Sequence, residues 1–452
     1  MKKLLIIICL LAGLAVRLYK IKAPIADWHS HRQADTASVT QNLINKTGTF
    51  FVPTYHDLSN IQTGKENPNG YRMVEMPIYN YFSSILAIFF PTDIASRLVS
   101  IIFSLGSSIL VYLIVFSWTK NYWISLYSLA VFLFLPFNIY YSRTVLPEPT
   151  AVFFMLLSLY LFKINFIISA ISLALSVLIK PYTALLLFPI YTFYTLQNKK
   201  IIQNLIFLLI SFTPFIFWRL WINNYSIGIP ASSWLFNEGN MRFHPAWWRW
   251  LFYERIGKLI LGVFGSIPLY LGFALKKNKL QTHLILLLLG ILIYFSVIAR
   301  GNIQHDYYQI LIIPFISIFV GIGSYYMFKF INPFSGIIVL LFSLAFSFYQ
   351  IKDYYIYNTS IVVAGQKAKE ILPANTWVIA PQNGNTSFLY QTGHSGWPIE
   401  IYDLETVKNR YPEKKFYLVT VDNNDYTAKL KTNYSTIISN NDYSIIDLNE
   451  KK

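Results

Sequence analysis

Acidic and basic residues gather in one segment near the amino terminus. Residues 27–36 read DWHSHRQADT, with Asp35 three positions after Arg32. On a helix these two side chains share a face, so the spacing predicts that Arg32 orients the Asp35 carboxylate. A carboxylate whose pKa is raised by burial and neighbouring groups can take a proton from a hydroxyl. The sequence therefore predicts a general base at Asp35, with an ordinary solvated salt bridge as the alternative.

The same segment carries two histidines and a second acid, which metals also accept as ligands. Asp27, His29, His31 and Asp35 lie close together in sequence. Protein metal sites usually draw on a second cluster at a fixed spacing, and the sequence shows none. No metal ligand is assigned and no cofactor is certain, with a divalent cation as the open alternative.

A second charged pair lies farther along, at the start of an apolar stretch. Glu75 directly precedes residues 76–91, where an unpaired charge is costly to bury. Arg72 is the nearest cation in sequence, so the pattern predicts an Arg72–Glu75 pair that supports the site. A carboxylate stabilised only by the dipole of the following helix is the alternative.

Two later cations are suited to binding phosphate. Residues 140–149 read YYSRTVLPEP and place Arg143 and Glu148 between two long apolar runs. A charge at the centre of a bilayer costs about 2.5–3.5 kcal/mol, so these side chains need a function or must reach the interface. We predict that Arg143 binds a phosphate through paired donors and that Glu148 sets its geometry. Lys180, which ends an apolar run before Pro181, is predicted as a second phosphate ligand.

A histidine close to two tyrosines forms the last group, within residues 300–309, which read RGNIQHDYYQ. An imidazole can donate to a phosphate or carry a proton near neutral pH, so His305 is predicted to bind the same phosphate. Tyr307 is assigned to that phosphate and Tyr308 to its support. A place in the aromatic belt of a membrane interface is the alternative for both tyrosines.

The segments that carry these residues are mostly apolar. Only 13% of the 452 residues are charged, whereas soluble domains carry about a quarter, so a lipid bilayer is the solvent that suits this composition. The net charge of +16 does not indicate nucleic acid, because the lysines lie in short clusters between apolar runs. Eleven membrane spans are predicted, at 4–20, 97–118, 122–141, 150–163, 165–180, 182–196, 202–222, 258–275, 281–299, 308–329 and 333–352.

The lysine clusters predict the orientation of the spans, because positive residues collect on the cytoplasmic side of a membrane. With the amino terminus inside, the compact turns that become cytoplasmic hold Lys120, Lys163, Lys199, Lys200, Lys276, Lys277, Lys279 and Lys329. Every group described above then lies outside, and the first external loop covers residues 21–96. Within that loop, residues 76–91, bounded by Pro77 and Pro91, are predicted as an interfacial helix rather than a further span.

The chain gains charge after residue 352. We predict an α-helical polytopic membrane protein of about 11 transmembrane helices, with a transmembrane domain over 1–352 and a small extracytoplasmic α/β domain over 353–452. An amphipathic stretch is expected at Val363–Leu372. Strands are expected at Thr376–Ala380, Lys415–Val421 and Tyr434–Ile438.

Taken in order, these motifs resemble those of bacterial membrane glycosyltransferases of the C-type fold. The similarity is to glycosyltransferase family 39 and its relatives, which include protein mannosyltransferases and aminoarabinose transferases. It covers most of the chain. The motifs that carry it are Trp28 to Asp35 with Thr36, Ala37 and Ser38, then Glu75-Met76-Pro77, Ser142-Arg143, Pro147-Glu148 and His305-x-Tyr307-Tyr308.

The resemblance implies a polyprenyl-phosphate sugar as the donor and anomeric inversion during transfer. It also implies that an acid of the first external loop deprotonates the acceptor hydroxyl, and Asp35 occupies that position. Thr36 stands where the family carries the second acid of an Asp-Glu pair, so Asp35 is expected to act alone. Glu75-Met76-Pro77 stands where some relatives have Lys-Pro-Pro, and no lysine contact is carried over there.

Two other classes of protein remain as alternatives. A lipid or polysaccharide transporter or flippase needs ionisable groups near mid-membrane and often contains inverted repeats. No fixed repeat is visible here, and the predicted site groups collect at one surface. A non-catalytic scaffold for polysaccharide assembly is the second alternative. The leading prediction is an inverting glycosyltransferase at the external face of the cytoplasmic membrane, with the sugar and the hydroxyl acceptor undetermined.

Overall fold

A computed structural model describes residues 2–198, 200–273 and 279–452. The α-helices are α1 (Lys2–Arg17), α2 (Ser30–Ile44), α3 (Ile78–Leu86), α4 (Thr92–Thr119), α5 (Tyr122–Phe134), α6 (Pro136–Tyr141), α7 (Glu148–Leu161), α8 (Phe166–Ile179), α9 (Thr183–Asn198), α10 (Ile201–Ile222), α11 (Pro245–Arg249), α12 (Ser266–Phe273), α13 (Lys279–Val297), α14 (Ala299–Gln304), α15 (Ile313–Phe330), α16 (Pro333–Ile351), α17 (Thr359–Ile371), α18 (Ser387–Thr392), α19 (Leu404–Arg410) and α20 (Asp425–Asn433). The strands are β1 (Trp377–Ile379), β2 (Ser395–Trp397), β3 (Phe416–Thr420), β4 (Tyr434–Ser439) and β5 (Ser444–Lys451). Short 3-10 helices cover Asn223–Gly228, Ser233–Leu235, Glu238–Phe243, Asp306–Ile312 and Lys352–Tyr355, and a π-helix covers Trp250–Ile260.

Long apolar helices dominate the chain. Five helical segments of the described residues are long and apolar enough to cross a membrane: Thr92–Thr119, Ile201–Gly228, Leu280–Val297, Asp306–Phe330 and Phe334–Ile371. Helical segments lie in all the predicted spans, but several are shorter than a bilayer requires. A chain that crosses a membrane several times is supported, and the number of eleven crossings stays a prediction. Lys199, Lys276 and Lys277 lie outside the described residues.

Asparagine side chains begin several of these helices. Asn121 accepts a hydrogen bond from the backbone N–H of Ile124 at the start of α5. Asn165 does the same for α8, and Asn332 for α16. A capping oxygen satisfies a backbone donor that has no partner within the helix, so these residues fix where the apolar segments start.

The ambiguous stretch at 76–91 contains one short helix. α3 has nine residues, a rise of about 14 Å, which is far less than the bilayer core of roughly 30 Å. Its length therefore favours the predicted interfacial helix over a span.

α2 is followed by Lys46-Thr47-Gly48, a sequence that predicts Gly48 as the C-cap, and the structure differs from this in detail. Lys46 adopts the left-handed conformation instead, with φ of 58°. Gly48 has a different role, because an added Cβ there would lie 2.6 Å from Thr54 Oγ1.

Contacts between Cα atoms divide the chain into two compact units. The helical unit comprises the chain up to Ile21 with Arg97–Trp221 and Ser232–Asp353. The loop–tail unit comprises Lys22–Ser96, Ile222–Ala231 and Tyr354–Lys452. The first loop thus groups with the tail, although they are far apart in sequence. The two domains predicted at 1–352 and 353–452 stay a prediction.

In the helical unit, α7 and α8 form an antiparallel pair joined by a short turn. The Ser176 hydroxyl donates to the carbonyl of Ala151 at 2.8 Å, and the Ser169 hydroxyl donates to the carbonyl of Ser158 at 2.7 Å. Small polar residues let two helices approach closely in an apolar environment. This packing places the first residue of α7, Glu148, beside Lys180 at the end of α8.

The loop–tail unit contains a five-stranded sheet in the order β2-β1-β3-β5-β4. β1 pairs in parallel with β2 and β3, whereas β5 pairs antiparallel with β3 and β4. Side chains alternate between two cores. Val378, Tyr417 and Ile445 pack with α17 and α18 on one face. Ile379 and Leu418 pack with α19 and α20 on the other. The three predicted strands are observed, and β2 and β5 are additional.

The first loop attaches to both faces of this sheet. Ala26 joins the core that contains α17 and α18, and Leu58 joins the core that contains α19 and α20. The backbone also pairs with the edge strand β2, because Leu58 N donates to Gly396 O at 2.8 Å and Gly396 N donates to His56 O at 2.9 Å. The segment that carries the predicted base is therefore anchored on this sheet.

Candidate active site

The Asp35 carboxylate, on the second turn of α2, is buried and held by three neighbours. Oδ2 accepts a hydrogen bond from Gln62 Nε2 at 3.0 Å and forms an ion pair with Arg72 Nη2 at 3.0 Å. Oδ1 accepts from Thr386 Oγ1 at 2.8 Å. A carboxylate has about two acceptor positions on each oxygen. One position on Oδ1 is therefore left over after the contacts made by the described residues.

The ion pairs of this cluster are not those that the sequence predicted. The spacing predicted Arg32–Asp35 and Arg72–Glu75, but Arg72 pairs with Asp35 and Arg32 pairs with Glu75. The backbone of Arg72 donates to Pro53 O at 2.8 Å, which places its guanidinium beside α2. The structure thus pairs Asp35 with Arg72 in place of Arg32, and the functional role of Arg32 stays a prediction. Tertiary placement of the extended segment, rather than spacing along one helix, decides the partners.

A narrow cleft lies beside Asp35. Its lining residues are Arg32, Asp35, Thr36, Val39, Pro53, Arg72, Val74, Glu75, Pro77 and Asn80. The cavity has a volume of about 10 Å³. That volume holds about one water molecule. The cleft thus accommodates a single hydroxyl next to the carboxylate.

A second acid and a histidine lie buried in the same unit. Asp57 Oδ1 accepts from the Ser59 backbone N–H at 2.8 Å. Among the described residues, Asp57 Oδ2 and His56 Nδ1 have no hydrogen-bond partner. Burial raises the pKa of Asp57 to about 6 and lowers the pKa of His56 to about 4. Sequence reasoning missed both residues, although adjacent titratable side chains next to Tyr55 were a visible signal.

The two histidines proposed as alternative metal ligands lie near each other. The ring centroids of His29 and His31 are 5.7 Å apart. Burial and then the positive charge of His29 lower the pKa of His31 to about 4. His31 is therefore neutral at pH 7, which is the form that binds a metal. The divalent cation stays a prediction.

In the helical unit, Glu148 pairs with Lys180. The ammonium lies 2.7 Å from Glu148 Oε1, and both side chains are almost fully buried. The contact is an ion pair without hydrogen-bond alignment, and within the described chain neither oxygen of Glu148 has a hydrogen-bond partner. The sequence predicted that Glu148 would organise Arg143, and the structure instead gives it Lys180. The close packing of α7 on α8 explains this exchange.

Arg143 is buried among backbone carbonyls and an aromatic ring. Its Nη1 donates to Lys20 O at 3.0 Å, and its guanidinium lies 5.4 Å from the Tyr140 ring centroid. Arg97 donates to the same carbonyl at 3.1 Å. Sequence reasoning missed Arg97, because a single cation near the start of an apolar run indicates only a membrane boundary. Two guanidinium groups thus converge on one carbonyl.

The rings around His305 are stacked, with His305 half-buried and Tyr307 and Tyr308 buried. The rings of His305 and Tyr307 are 5.3 Å apart, and those of Tyr307 and Tyr308 are 4.9 Å apart. Lys180 Nζ lies 5.8 Å from the Tyr308 ring centroid, which brings these predicted residues together in one unit. Asp306 was missed. It accepts from the Tyr141 hydroxyl and forms an ion pair with Arg255 at 3.8 Å.

Comparison with known proteins identifies similar sequences and folds. Residues 48–254 match the family described as dolichyl-phosphate-mannose-protein mannosyltransferase. That range includes Arg72, Glu75, Arg143, Glu148 and Lys180. No curated protein sequence matches the chain.

Solved structures match over almost the whole chain. ArnT from Cupriavidus metallidurans bound to undecaprenyl phosphate aligns with a TM-score of 0.64 and 10% identity, covering 97% of each chain. The Archaeoglobus fulgidus oligosaccharyltransferase in complex with Zn and sulfate aligns with a TM-score of 0.58 and 11% identity, covering 96% of this chain and 71% of that one. At these identities the likeness establishes a shared fold. The resemblance read from the sequence motifs is thus confirmed: the chain is similar to the protein mannosyltransferase family and has the C-type membrane glycosyltransferase fold.

Proposed function

We propose that this protein is an inverting glycosyltransferase that moves a sugar from a polyprenyl-phosphate donor to a hydroxyl of a lipid, glycan or protein. The observation that carries the proposal is the state of Asp35. Three neighbours fix its carboxylate, one acceptor position of Oδ1 is left over among the described residues, and Asp35 lines a cleft that fits a hydroxyl. The reaction takes place at the external face of the cytoplasmic membrane.

The proposed step is a single displacement. The acceptor oxygen attacks the anomeric carbon of the sugar while its proton passes to Asp35. The bond between the anomeric carbon and the phosphate oxygen breaks, and the lipid phosphate leaves with the bonding electrons. One displacement inverts the anomeric centre. The proton on Asp35 then returns to solvent or to the released phosphate.

Arg72 takes the orienting role in this proposal, because it is the cation that contacts Asp35. Arg32 and Glu75 line the cleft as a pair and position the acceptor. The interactions are preorganised, so the base needs no rearrangement when the proton moves. Thr36, in place of a second acid, donates to the Arg32 carbonyl at 2.9 Å and has a structural role.

Arg143, Lys180, His305 and Tyr307 are proposed to hold the donor phosphate, with Glu148 and Tyr308 in support. Lys180 is suited to this task because it is buried beside Glu148, and an incoming phosphate can replace that acid as its partner. The similar ArnT structure holds undecaprenyl phosphate, and a similar archaeal structure holds dolichol phosphate. The proposed donor sugar is a hexose or a pentose.

Transfer in membrane vesicles tests the proposal. Vesicles containing the protein receive short-chain polyprenyl-phosphate donors carrying radiolabelled mannose, galactose or arabinose, and labelled endogenous acceptors are counted. Asp35→Asn should reduce transfer by about 10³-fold, within the range of a lost general base. Asp422→Asn, at an exposed acid of the tail, is the matched control and should retain activity.

Two outcomes contradict the proposal. Undiminished transfer by Asp35→Asn removes Asp35 from the mechanism. Labelled donor that crosses the membrane while no acceptor is labelled indicates a transporter or flippase instead. Thermal stabilisation by undecaprenyl phosphate should be the same in Asp35→Asn and the wild type, because the carboxylate is not proposed to bind the phosphate.

A further inference from the structure

The tail of the chain contributes a hydroxyl to the proposed base. Thr386 lies directly before α18, and its Oγ1 is 2.8 Å from Asp35 Oδ1. The two residues are 351 positions apart in sequence, and both are buried. A hydrogen bond to an ionised acceptor is about twice as strong as one between neutral groups.

The Thr386 side chain does not cap the first turn of α18, as a threonine at this position usually does. A threonine before the first turn of a helix normally accepts from a backbone N–H two or three residues later. The Thr386 side chain makes no such bond. Gln382 does it instead, because its Oε1 accepts from the backbone N–H of Phe388 at 3.1 Å. The Thr386 hydroxyl is therefore available for Asp35.

A second acceptor lies within reach of the same hydroxyl. Thr386 Oγ1 is 3.1 Å from the backbone carbonyl of His31. A hydroxyl has one hydrogen, so it donates fully to only one of these oxygens at a time. The charged carboxylate is the stronger acceptor before the reaction. Once Asp35 holds the acceptor proton, the hydroxyl can turn to His31 O and stays satisfied.

We infer that Thr386 is a positioning residue of the active site, through which the tail holds the Asp35 carboxylate in the orientation required for proton transfer. The inference rests on the proposed function of Asp35. It makes the tail part of the active site rather than an appended domain. The wider contact supports this, since Gln391 Nε2 donates to Ile25 O at 3.0 Å on the same first loop.

Three variants of the full chain test the inference with the vesicle assay and the mannosyl, galactosyl and arabinosyl donors. Thr386→Val removes the hydroxyl and keeps the shape, and should lower kcat by about 10–100-fold through a misplaced base. The KM for the donor should change less than about twofold, since the donor phosphate is not involved. Thr386→Ser keeps the hydroxyl and should retain most of the wild-type kcat.

Thr392→Val is the matched control. Thr392 is a buried threonine at the other end of α18, and its hydroxyl donates to Leu389 O at 2.7 Å without contacting Asp35. It should lower the melting temperature in detergent as much as Thr386→Val does, while kcat stays near the wild-type value. Equal kcat in Thr386→Val and Thr392→Val overturns the inference, as does an equally low kcat in Thr386→Ser and Thr386→Val. Loss of activity in Asp35→Asn alone would leave the proposed function intact and reject only the role of Thr386.

Discussion

Asp35 and Glu148 are both buried carboxylates beside a cation, yet their surroundings differ. Asp35, in the loop–tail unit, has two aligned hydrogen bonds in addition to its ion pair with Arg72. Glu148, in the helical unit, has the Lys180 ammonium and, among the described residues, no aligned hydrogen bond. Asp35 is thus held by hydrogen bonds as well as a cation, whereas Glu148 is stabilised mainly by the charge of Lys180.

The difference bears on what each acid can do. A carboxylate fixed by several donors presents a constant geometry, which a proton acceptor needs. A buried ion pair without supporting hydrogen bonds gains little over its desolvation cost, so either partner can exchange for a better one. A phosphate is such a partner for Lys180. The comparison thus supports the proposed division of roles, with proton transfer in the first cluster and anion exchange in the second.

The largest effect is expected from breaking the Asp35–Arg72 pair. Arg72→Gln leaves a buried carboxylate without its cation. In comparable pairs this lowers the free energy of unfolding by about 3–5 kcal/mol. We expect transfer to fall by roughly 10²–10³-fold, measured as kcat with the labelled donors. Arg32→Gln should reduce transfer less, because Arg32 forms its ion pair with Glu75 rather than with Asp35. A larger loss in Arg32→Gln than in Arg72→Gln would favour the pairing predicted from helix spacing over the observed one.

In the helical unit, the buried charge of Glu148 should destabilise the fold once Lys180 is removed. Lys180→Gln is expected to lower the free energy of unfolding by about 3–5 kcal/mol, because it leaves an uncompensated buried charge. The double variant with Glu148→Gln should recover most of that loss in thermal unfolding. If Lys180 binds phosphate, the double variant should also lose the stabilisation that undecaprenyl phosphate gives the wild type. A double variant as unstable as Lys180→Gln would show that the pair is not balanced by charge.

The pH dependence of stability distinguishes two buried groups of the loop–tail unit. Burial, then the charges of His394 and Lys369, lower the pKa of His56 to about 4 from 6.5. The unfolded chain therefore binds the proton first as pH falls, and stability is lost between about pH 6.5 and 4. The lost free energy is about 3 kcal/mol for a shift of this size. His56→Phe should reduce this loss in melting curves recorded from pH 7 to pH 4.

Asp57, the residue next to His56, contributes a pH dependence of stability with the opposite sign. Its pKa is raised to about 6, so its contribution is present at low pH and is lost as pH rises through about 6. Asp57→Asn should make the acid-induced loss of stability steeper than in the wild type, whereas His56→Phe makes it shallower. Identical pH slopes in both variants and the wild type would contradict the burial of these groups.

The elements of this protein were largely predictable from the sequence, and the partners of its charges were not. Apolar runs indicated helices, and the apolar pattern around Val378 and Leu418 indicated strands, because burial requires that pattern wherever the segment lies. The partner of Asp35 depends on where the segment after Pro53 runs, which no local periodicity encodes. The contact of Thr386 with Asp35 could not be predicted from the sequence for the same reason, since its hydroxyl meets α2 only after the tail folds.

Lys180 is an informative intermediate case. Its position at the end of an apolar run marked it as unusual, and that signal was physical, because a cation there needs a counter-ion. The sequence could not say that Glu148 is the counter-ion, because this depends on the antiparallel packing of α7 on α8. Short-range rules therefore identify residues that need a partner, and tertiary packing selects the partner.

The smallest effects should come from the exposed ion pairs, one in each unit. Arg410 pairs with Glu66 in the loop–tail unit, and Arg300 pairs with Glu238 in the helical unit, with all four side chains substantially exposed. Glu66→Gln and Glu238→Gln should each change the free energy of unfolding by less than about 1 kcal/mol, and less still in 0.5 M salt. Melting curves at low and high salt provide the measurement. If either variant were as destabilising as Lys180→Gln, burial would not be what separates these pairs from the two buried ones, and the contrast between Asp35 and Glu148 would need another physical cause.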